Sequence, residues 1–141
     1  MTPIDDTEDQ MVNIHHGPLW KYEGRTGYAE YVETSAVDAT LYVSGQAGYS
    51  SSGELPKGDM RAQLRNTFAN ITGLLDAADY PASQVIKIHI YVTDMDRALE
   101  AYDEVTGSLQ QWGAAPASVM TEVGRLASVD MLCEIEAVAV R

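Results

Sequence analysis

A strongly apolar strand between two segments of helical periodicity is the feature that most constrains this fold. The strand spans Gln84–Thr93, and its alternation predicts a buried face and a semi-polar face. The predicted buried face consists of Ile86, Ile88, Ile90 and Val92, and the opposite face of Lys87, His89 and Tyr91. A strand between two helices favours a mixed architecture in which helices pack on a sheet.

Both helices begin at an acidic residue that can accept hydrogen bonds from the free amides of a first turn. Asp59 precedes a helix predicted from about Met60 to Ala78, with apolar residues at helical spacing. Asp94 or Asp96 precedes a second helix, predicted to run to about Gln111. Its apolar stripe is Leu99, Tyr102, Val105 or Thr106, Leu109 and Trp112.

Strand-like runs flank these helices on both sides. Tyr28–Thr34 and Thr40–Ser44 are rich in β-branched and aromatic residues, and they are predicted to form a hairpin. Ala117–Val123 and Leu132–Val140 are the two predicted strands of the last quarter. The element order is therefore ββ-α-β-α-ββ, an α+β fold with two helices packed on one face of a mixed sheet.

The chain length of 141 residues suits a single domain. Residues 1–20 are acidic and lack an apolar period, which predicts a flexible or loosely docked arm, and 21–141 is the predicted domain. The acidic start differs from a secretory signal, so we expect a cytoplasmic protein. Cys133 is the single cysteine, which excludes an internal disulfide and a cysteine-based zinc site.

The net charge of −12 disfavours nucleic-acid and anionic membrane partners, because its field repels phosphate groups. The sequence contains no phosphate-binding glycine loop and no zinc-protease motif, so we expect no cofactor and no metal. His15 and His16 are adjacent and would point to opposite faces of a strand, which suits an exposed pair better than a metal site.

Glu134 and Glu136 share one face of an otherwise apolar strand. Such a face must reach water, an interface or a pocket. A solvated strand edge explains this pattern, and so does a proton-transfer carboxylate. His89 lies on the less apolar face of its strand, where a structural histidine and a site residue are equally compatible with the pattern.

Five segments occur in an order that resembles the Rid family of imine deaminase-like proteins. They are Ser44-Gly45-Gln46, the helix through Asn70, the segment Val85–Met95, Pro116-Ala117-Ser118 and the closing Glu134–Ala139. The resemblance extends from about Tyr28 to Arg141. It implies a chorismate-mutase-like fold and a homotrimer with small-molecule clefts at the subunit interfaces.

The resemblance also implies roles for individual residues. Glu134 corresponds to the carboxylate that activates water, and Tyr28 to a tyrosine of the cleft. The corresponding substrate-binding positions are Ser44, Asp103, Ser118 and Met120. Ser118 stands where the deaminases have an arginine that holds the substrate carboxylate, which implies a non-standard substrate.

Two functions follow from this resemblance. The first is that of an enzyme acting on a small imine, enamine or related electrophile. Such an enzyme hydrolyses or deaminates this substrate, or it transfers a proton on it. The second is a non-catalytic trimer that binds a small ligand or acts as a chaperone. An endoribonuclease, a label given to some relatives, is disfavoured by the acidic charge and the lack of a basic stripe.

Overall fold

The computed structural model describes residues 12–22 and 25–141. Eight strands and three helices lie within these ranges. The strands are β1 (Asn13–His16), β2 (Leu19–Tyr22), β3 (Arg25–Ala29), β4 (Val32–Ser35), β5 (Thr40–Ala47), β6 (Val85–Val92), β7 (Ala117–Glu122) and β8 (Cys133–Val140). The helices are α1 (Met60–Ala78), α2 (Met95–Glu100) and α3 (Tyr102–Trp112).

The main sheet has four strands in the order β5-β8-β6-β7. Strands β5 and β6 are antiparallel to β8, whereas β6 and β7 are parallel. Helix α1 packs on β5 and β8 and against α3, so the helices cover one face of the sheet. The predicted α+β fold, with helices on one face of a mixed sheet, is confirmed.

The hydrophobic core lies between this sheet face and the helices. Its fully buried side chains come from α1, α3, β6 and β8, and the largest of them are Leu64, Ile71, Leu75, Ile88, Ile90, Leu109 and Ile135. No helix among the described residues is long and apolar enough to cross a membrane.

Helix α1 has the bounds that its sequence predicts. The Asp59 carboxylate accepts a hydrogen bond from the Ala62 amide at 3.0 Å, which caps the first turn. The helix ends where Asp79 adopts a left-handed conformation with φ of 63°. Local signals therefore determine both ends of this element.

The predicted second helix is two helices in the structure. Asp94 caps α2, with its Oδ1 accepting from the Arg97 amide at 3.1 Å, and the helical geometry is interrupted at Ala101. Because of this break, Leu99 does not lie on the buried stripe of α3 and is 38% exposed, whereas Ala98 is buried. Helical periodicity alone does not reveal such a break.

The predicted hairpin between Tyr28–Thr34 and Thr40–Ser44 is wrong. Strands β3 and β4 divide the first run, β4 pairs with β1, and β5 pairs with β8. The Asp38 and Ala39 amides both donate to the Arg141 carbonyl at 2.8 Å, which directs the chain toward β8 instead of back onto β4.

Regular structure also begins earlier than the predicted arm allows. Strand β1 starts at Asn13 and pairs with β4, and β2 pairs with β3. The pairing of β1 with β4 joins segments that are distant in the sequence, which an apolar period cannot indicate. The remainder of the predicted arm, residues 1–11, lies outside the described residues.

A shift of register modifies the predicted buried face of β6. The shift lies between Val85 and Lys87, where β6 pairs with β8. Val85 is buried in place of Ile86, whereas Ile88, Ile90 and Val92 are buried as predicted. A bulge inserts one extra residue into a strand, so side chains on one side of the bulge point to the opposite sheet face from the one that simple alternation predicts.

Candidate functional site

The sheet face opposite the helices presents polar side chains to the outside. Tyr42 on β5 is 77% exposed, and Val119 on β7 is 47% exposed. Beside Tyr42 lies a depression of about 330 Å³, lined among others by Ser44, His89 and Glu136. We call this surface the open face.

Glu134 occupies the open face directly above Gly45. The β5–β8 ladder shifts register between Val43 and Gln46, which places Ser44 and Gly45 together opposite Glu136. A β-carbon on Gly45 would lie 2.8 Å from Cδ and 3.0 Å from Cγ of Glu134. The carboxylate therefore lies in space that a glycine alone leaves free.

The motif Ser44-Gly45-Gln46 has a structural explanation in this bulge. The Gln46 side-chain amide donates to the Ser44 carbonyl at 2.9 Å, which braces the bulged backbone. Ser44 is exposed beside the depression, and Gly45 accommodates Glu134. Each residue of the motif thus shapes the surface around the carboxylate.

Glu136, the second carboxylate of the open face, is held by neighbours on β6. The Tyr91 hydroxyl donates to its Oε1 at 2.9 Å, and Nδ1 of His89 lies 3.8 Å from the same oxygen. The His89 and Tyr91 rings stack with centroids 3.9 Å apart and planes inclined by 9°. Nε2 of His89 lies 3.1 Å from Oγ1 of Thr121.

The Tyr91 phenol is influenced by these carboxylates. Its hydrogen bond to Glu136 raises its pKa, and burial and the charges of Glu136 and Glu134 act in the same direction. Tyr91 is therefore neutral at physiological pH and acts as a hydrogen-bond donor. By contrast, the Glu134 carboxylate makes no hydrogen bond or ion pair with the described part of the chain.

Ser118 and Met120 lie on the other side of the sheet. They pair in register with Ile88 and Ile90, whose side chains face the helices. Met120 packs against the core accordingly, whereas Thr121 lies on the open face with His89. Within a single chain, Ser118 and Met120 therefore lie on the opposite sheet face from Glu134.

Tyr28 lies near the strand that contains Ser118. Its ring stacks on that of Trp20 with centroids 5.0 Å apart, and the next residue, Ala29, donates its amide hydrogen to the Pro116 carbonyl at 3.1 Å. Strand β3 thus runs beside the beginning of β7. Tyr28 and Ser118 belong to one region, separate from the open face.

Asp103 lies in the first turn of α3, within the helical layer. Oδ2 of its carboxylate accepts a hydrogen bond from Nη1 of Arg61 at 2.7 Å, and Arg61 also contacts Glu104. Asp103 therefore lies on the helical side of the sheet, opposite the open face that holds Glu134. It forms part of a surface network of ion pairs between α1 and α3.

Of the residues singled out in the sequence, the open face unites Glu134, Glu136, Ser44 and His89. Tyr91 and Thr121, which sequence reasoning did not select, join them through hydrogen bonds. The alternation of β6 was the available signal for Tyr91, because it places this residue beside His89. Residues 12–22 and 25–141 contain no group of three or more potential metal ligands placed to hold an ion.

Comparison with known proteins agrees with this architecture. Residues 25–141 match the family model described as Endoribonuclease L-PSP. A RutC family protein of Pyrococcus horikoshii is 39% identical over 103 residues, covering 70% of this chain and 77% of that protein. A mouse protein named 2-iminobutanoate/2-iminopropanoate deaminase is 31% identical over 112 residues, covering 79% and 81%.

Solved structures give the same result. A Rid family protein of unknown function from Yersinia pestis superimposes with a TM-score of 0.71 at 28% identity, covering 82% of this chain and 87% of that one. Escherichia coli TdcF, solved with bound serine, has a TM-score of 0.68 at 25% identity and covers 89% and 92%. From sequence and fold together, the chain belongs to the Rid family.

Proposed function

We propose that this protein hydrolyses a small imine or enamine and releases ammonia, with Glu134 as the group that activates water. The observation that carries the proposal is the position of the Glu134 carboxylate on the open face against Gly45, with no other described side chain bonded to it. A carboxylate that is accessible and unengaged can accept a proton from a bound water. The deaminase names of several relatives support the same reaction class.

The chemistry requires one group that alternately accepts and donates a proton. Water adds to the carbon of the C=N bond while Glu134 takes a proton from that water and passes it to the nitrogen, which gives a neutral carbinolamine. Glu134 then takes the proton of the carbinolamine hydroxyl as the C=O bond forms, and it gives this proton to the nitrogen as the C–N bond breaks, so that a carbonyl compound and ammonia leave. The same carboxylate also suffices for proton transfer between an enamine and an imine.

A complete cleft needs a second copy of the chain. Tyr28, Ser118 and Met120 lie away from the open face, so they meet Glu134 only if one subunit's β3–β7 region covers the open face of another. Such a contact joins two different surfaces and closes into a ring, and a homotrimer is the assembly we propose. The exposed side chains of Tyr42 and Val119 support a buried contact on this face.

The charges of the cleft favour a neutral or cationic substrate. Glu134 and Glu136 contribute two negative charges against the single positive charge of Lys87 on the same face, and Ser118 contributes none. A carboxylate-bearing imine would therefore meet repulsion in this part of the cleft. RNA is a poor candidate substrate for the same reason, because the whole chain has a net charge of −12.

The test is ammonia release from imines generated in the assay, including iminopyruvate and neutral imines, followed by mass-resolved product analysis. We expect Glu134→Gln to reduce turnover by at least about a hundredfold. Glu54→Gln, in the exposed loop before α1, removes the same charge and should leave turnover unchanged. Ligand-induced thermal stabilisation without turnover would instead identify a ligand-binding trimer.

Sedimentation tests the assembly separately. A particle of about three chains is the expected result. A monodisperse monomer at micromolar concentration would contradict the shared cleft, since the residues of the proposed site would then remain apart.

A further inference from the structure

The open face holds two carboxylates of identical chemistry, and the proposed reaction needs one base. Glu134 and Glu136 are two residues apart on β8, which separates them by about 6.6 Å along the strand. Both side chains lie on the same face. Some feature of the structure must therefore determine which carboxylate reacts.

The two carboxylates differ in their partners. Tyr91 pairs in register with Glu134, yet its hydroxyl reaches diagonally and donates to Oε1 of Glu136 at 2.9 Å. His89, which pairs in register with Glu136, lies 3.8 Å from the same oxygen. The tyrosine thus engages the more distant carboxylate and leaves the nearer one free.

The orientation of Tyr91 is itself fixed by packing. Its ring stacks on His89 with centroids 3.9 Å apart, and Thr121 fixes the other side of the imidazole at 3.1 Å. A stacked ring cannot rotate toward Glu134 without losing this contact. The contact of Thr121 with His89 and the stacking of His89 on Tyr91 therefore direct the Tyr91 hydroxyl to Glu136.

The remaining charged and titratable groups of this face do not replace Tyr91. Strand β6 also contributes Lys87, whose ammonium group makes no hydrogen bond or ion pair within the described part of the chain. Strand β5 contributes Tyr42, whose side chain is largely exposed. Neither of them donates a hydrogen bond to Glu134 or Glu136.

We propose that Tyr91 is a positioning residue that makes Glu134 the base by holding Glu136 in a hydrogen bond. This inference rests on the proposed imine hydrolysis. An oxygen that already accepts a hydrogen bond is less available to take a proton from water, and its side chain is less free to turn. Removal of the Tyr91 hydroxyl frees Glu136 to act in place of Glu134.

The kinetic test uses Tyr91→Phe, which retains the stacked ring, alone and combined with Glu134→Gln. We expect Tyr91→Phe alone to lower kcat by less than about tenfold with KM nearly unchanged. In the double variant, turnover should rise at least about tenfold above that of Glu134→Gln. Adding Glu136→Gln should abolish this recovery, because no carboxylate then remains.

Tyr49→Phe is the matched control, since this tyrosine lies outside the open face. Combined with Glu134→Gln, it should give no recovery. A double variant with Tyr91→Phe that is no faster than Glu134→Gln would overturn the inference.

A second measurement does not depend on turnover. Carbon-13 labelling of the tyrosine ring reports the ionisation of Tyr91, and Glu136→Gln should lower its pKa toward the ordinary range of a phenol by removing the accepting carboxylate. An unchanged titration of Tyr91 would overturn the inference even in an active enzyme. Absence of turnover in the wild type, with the titration shifted as expected, would refute the proposed function and this inference with it.

Discussion

The side chain of Glu134 lies against Gly45 so closely that a β-carbon at position 45 would be 2.8 Å from its Cδ atom. The glycine is on β5 and the carboxylate on β8, and the bulge in β5 brings the two together. The position of the proposed base, Glu134, thus depends on a glycine at position 45 of the neighbouring strand, because any side chain there would occupy the same space.

Gly45→Ala should displace the Glu134 carboxylate and reduce imine turnover by at least about tenfold. The added methyl group also overpacks the bulge, at a cost of about 1–3 kcal/mol in the free energy of unfolding. Gly73→Ala is the control, because Gly73 lies on α1 with open space around it and alanine favours helix there by about 1 kcal/mol. Urea unfolding and steady-state kinetics on both variants check these effects, and full activity in Gly45→Ala would contradict the proposed role of Glu134.

Ser118→Arg should improve the use of carboxylate-bearing imines relative to neutral ones. A guanidinium can hold a carboxylate through two charged hydrogen bonds, which a serine hydroxyl cannot do. The measurement is kcat/KM for iminopyruvate against that for a neutral imine. Ser51→Arg, in an exposed loop, adds the same charge away from the cleft and should leave this ratio unchanged.

An already high wild-type activity on iminopyruvate would contradict the expected substrate preference. Lys87→Met then becomes informative, since Lys87 lines the depression on the open face. Loss of activity on iminopyruvate in Lys87→Met would show that this lysine binds the substrate carboxylate.

Gln63→Met should destabilise the fold by about 3 kcal/mol, because Gln63 is buried and its amide makes three hydrogen bonds. Its Nε2 donates to the carbonyls of Pro56 and Asp130 at 2.9 and 3.0 Å, and its Oε1 accepts from the Leu132 amide at 2.8 Å. These bonds tie α1 to the segment that leads into β8. The midpoint of urea unfolding measures the loss, and Gln110→Met, on the exposed side of α3, should change it little.

Cys133 should resist alkylation in the folded protein up to about pH 9. Its side chain is fully buried, and burial raises the pKa of the thiol to about 11. The folded state therefore binds this proton more tightly than the unfolded state. The resulting stability is fully present below the ordinary thiol pKa and is lost as the pH rises from about 9 toward 11.

Comparison with Cys133→Val isolates this effect from other groups that ionise at alkaline pH. The difference in unfolding free energy between the wild type and the variant should change by about 1.4 kcal/mol per pH unit between about pH 9 and pH 11. A difference that is constant with pH would show that the thiol contributes nothing to the pH dependence.

The sequence by itself determines the elements whose signals are local. Asp59 and the apolar spacing after it define α1 at both ends, and the alternation along β6 and β8 separates core residues from Glu134, Glu136 and His89. Capping and periodicity act between residues a few positions apart, so one chain segment contains the whole signal. The family motifs extend this reasoning to the fold, because they specify a known arrangement of such segments.

The tertiary structure alone decides which segments meet. The pairing of β1 with β4, the bulge at Ser44 and Gly45, and the diagonal bond from Tyr91 to Glu136 join residues distant in the sequence. The tertiary structure also places Ser118 and Glu134 on opposite faces of the sheet within one chain, although the family resemblance assigns both to one cleft. The register of a strand depends on its neighbours, and a shift of one residue exchanges the two faces, so these relationships arise only when the whole sheet is assembled.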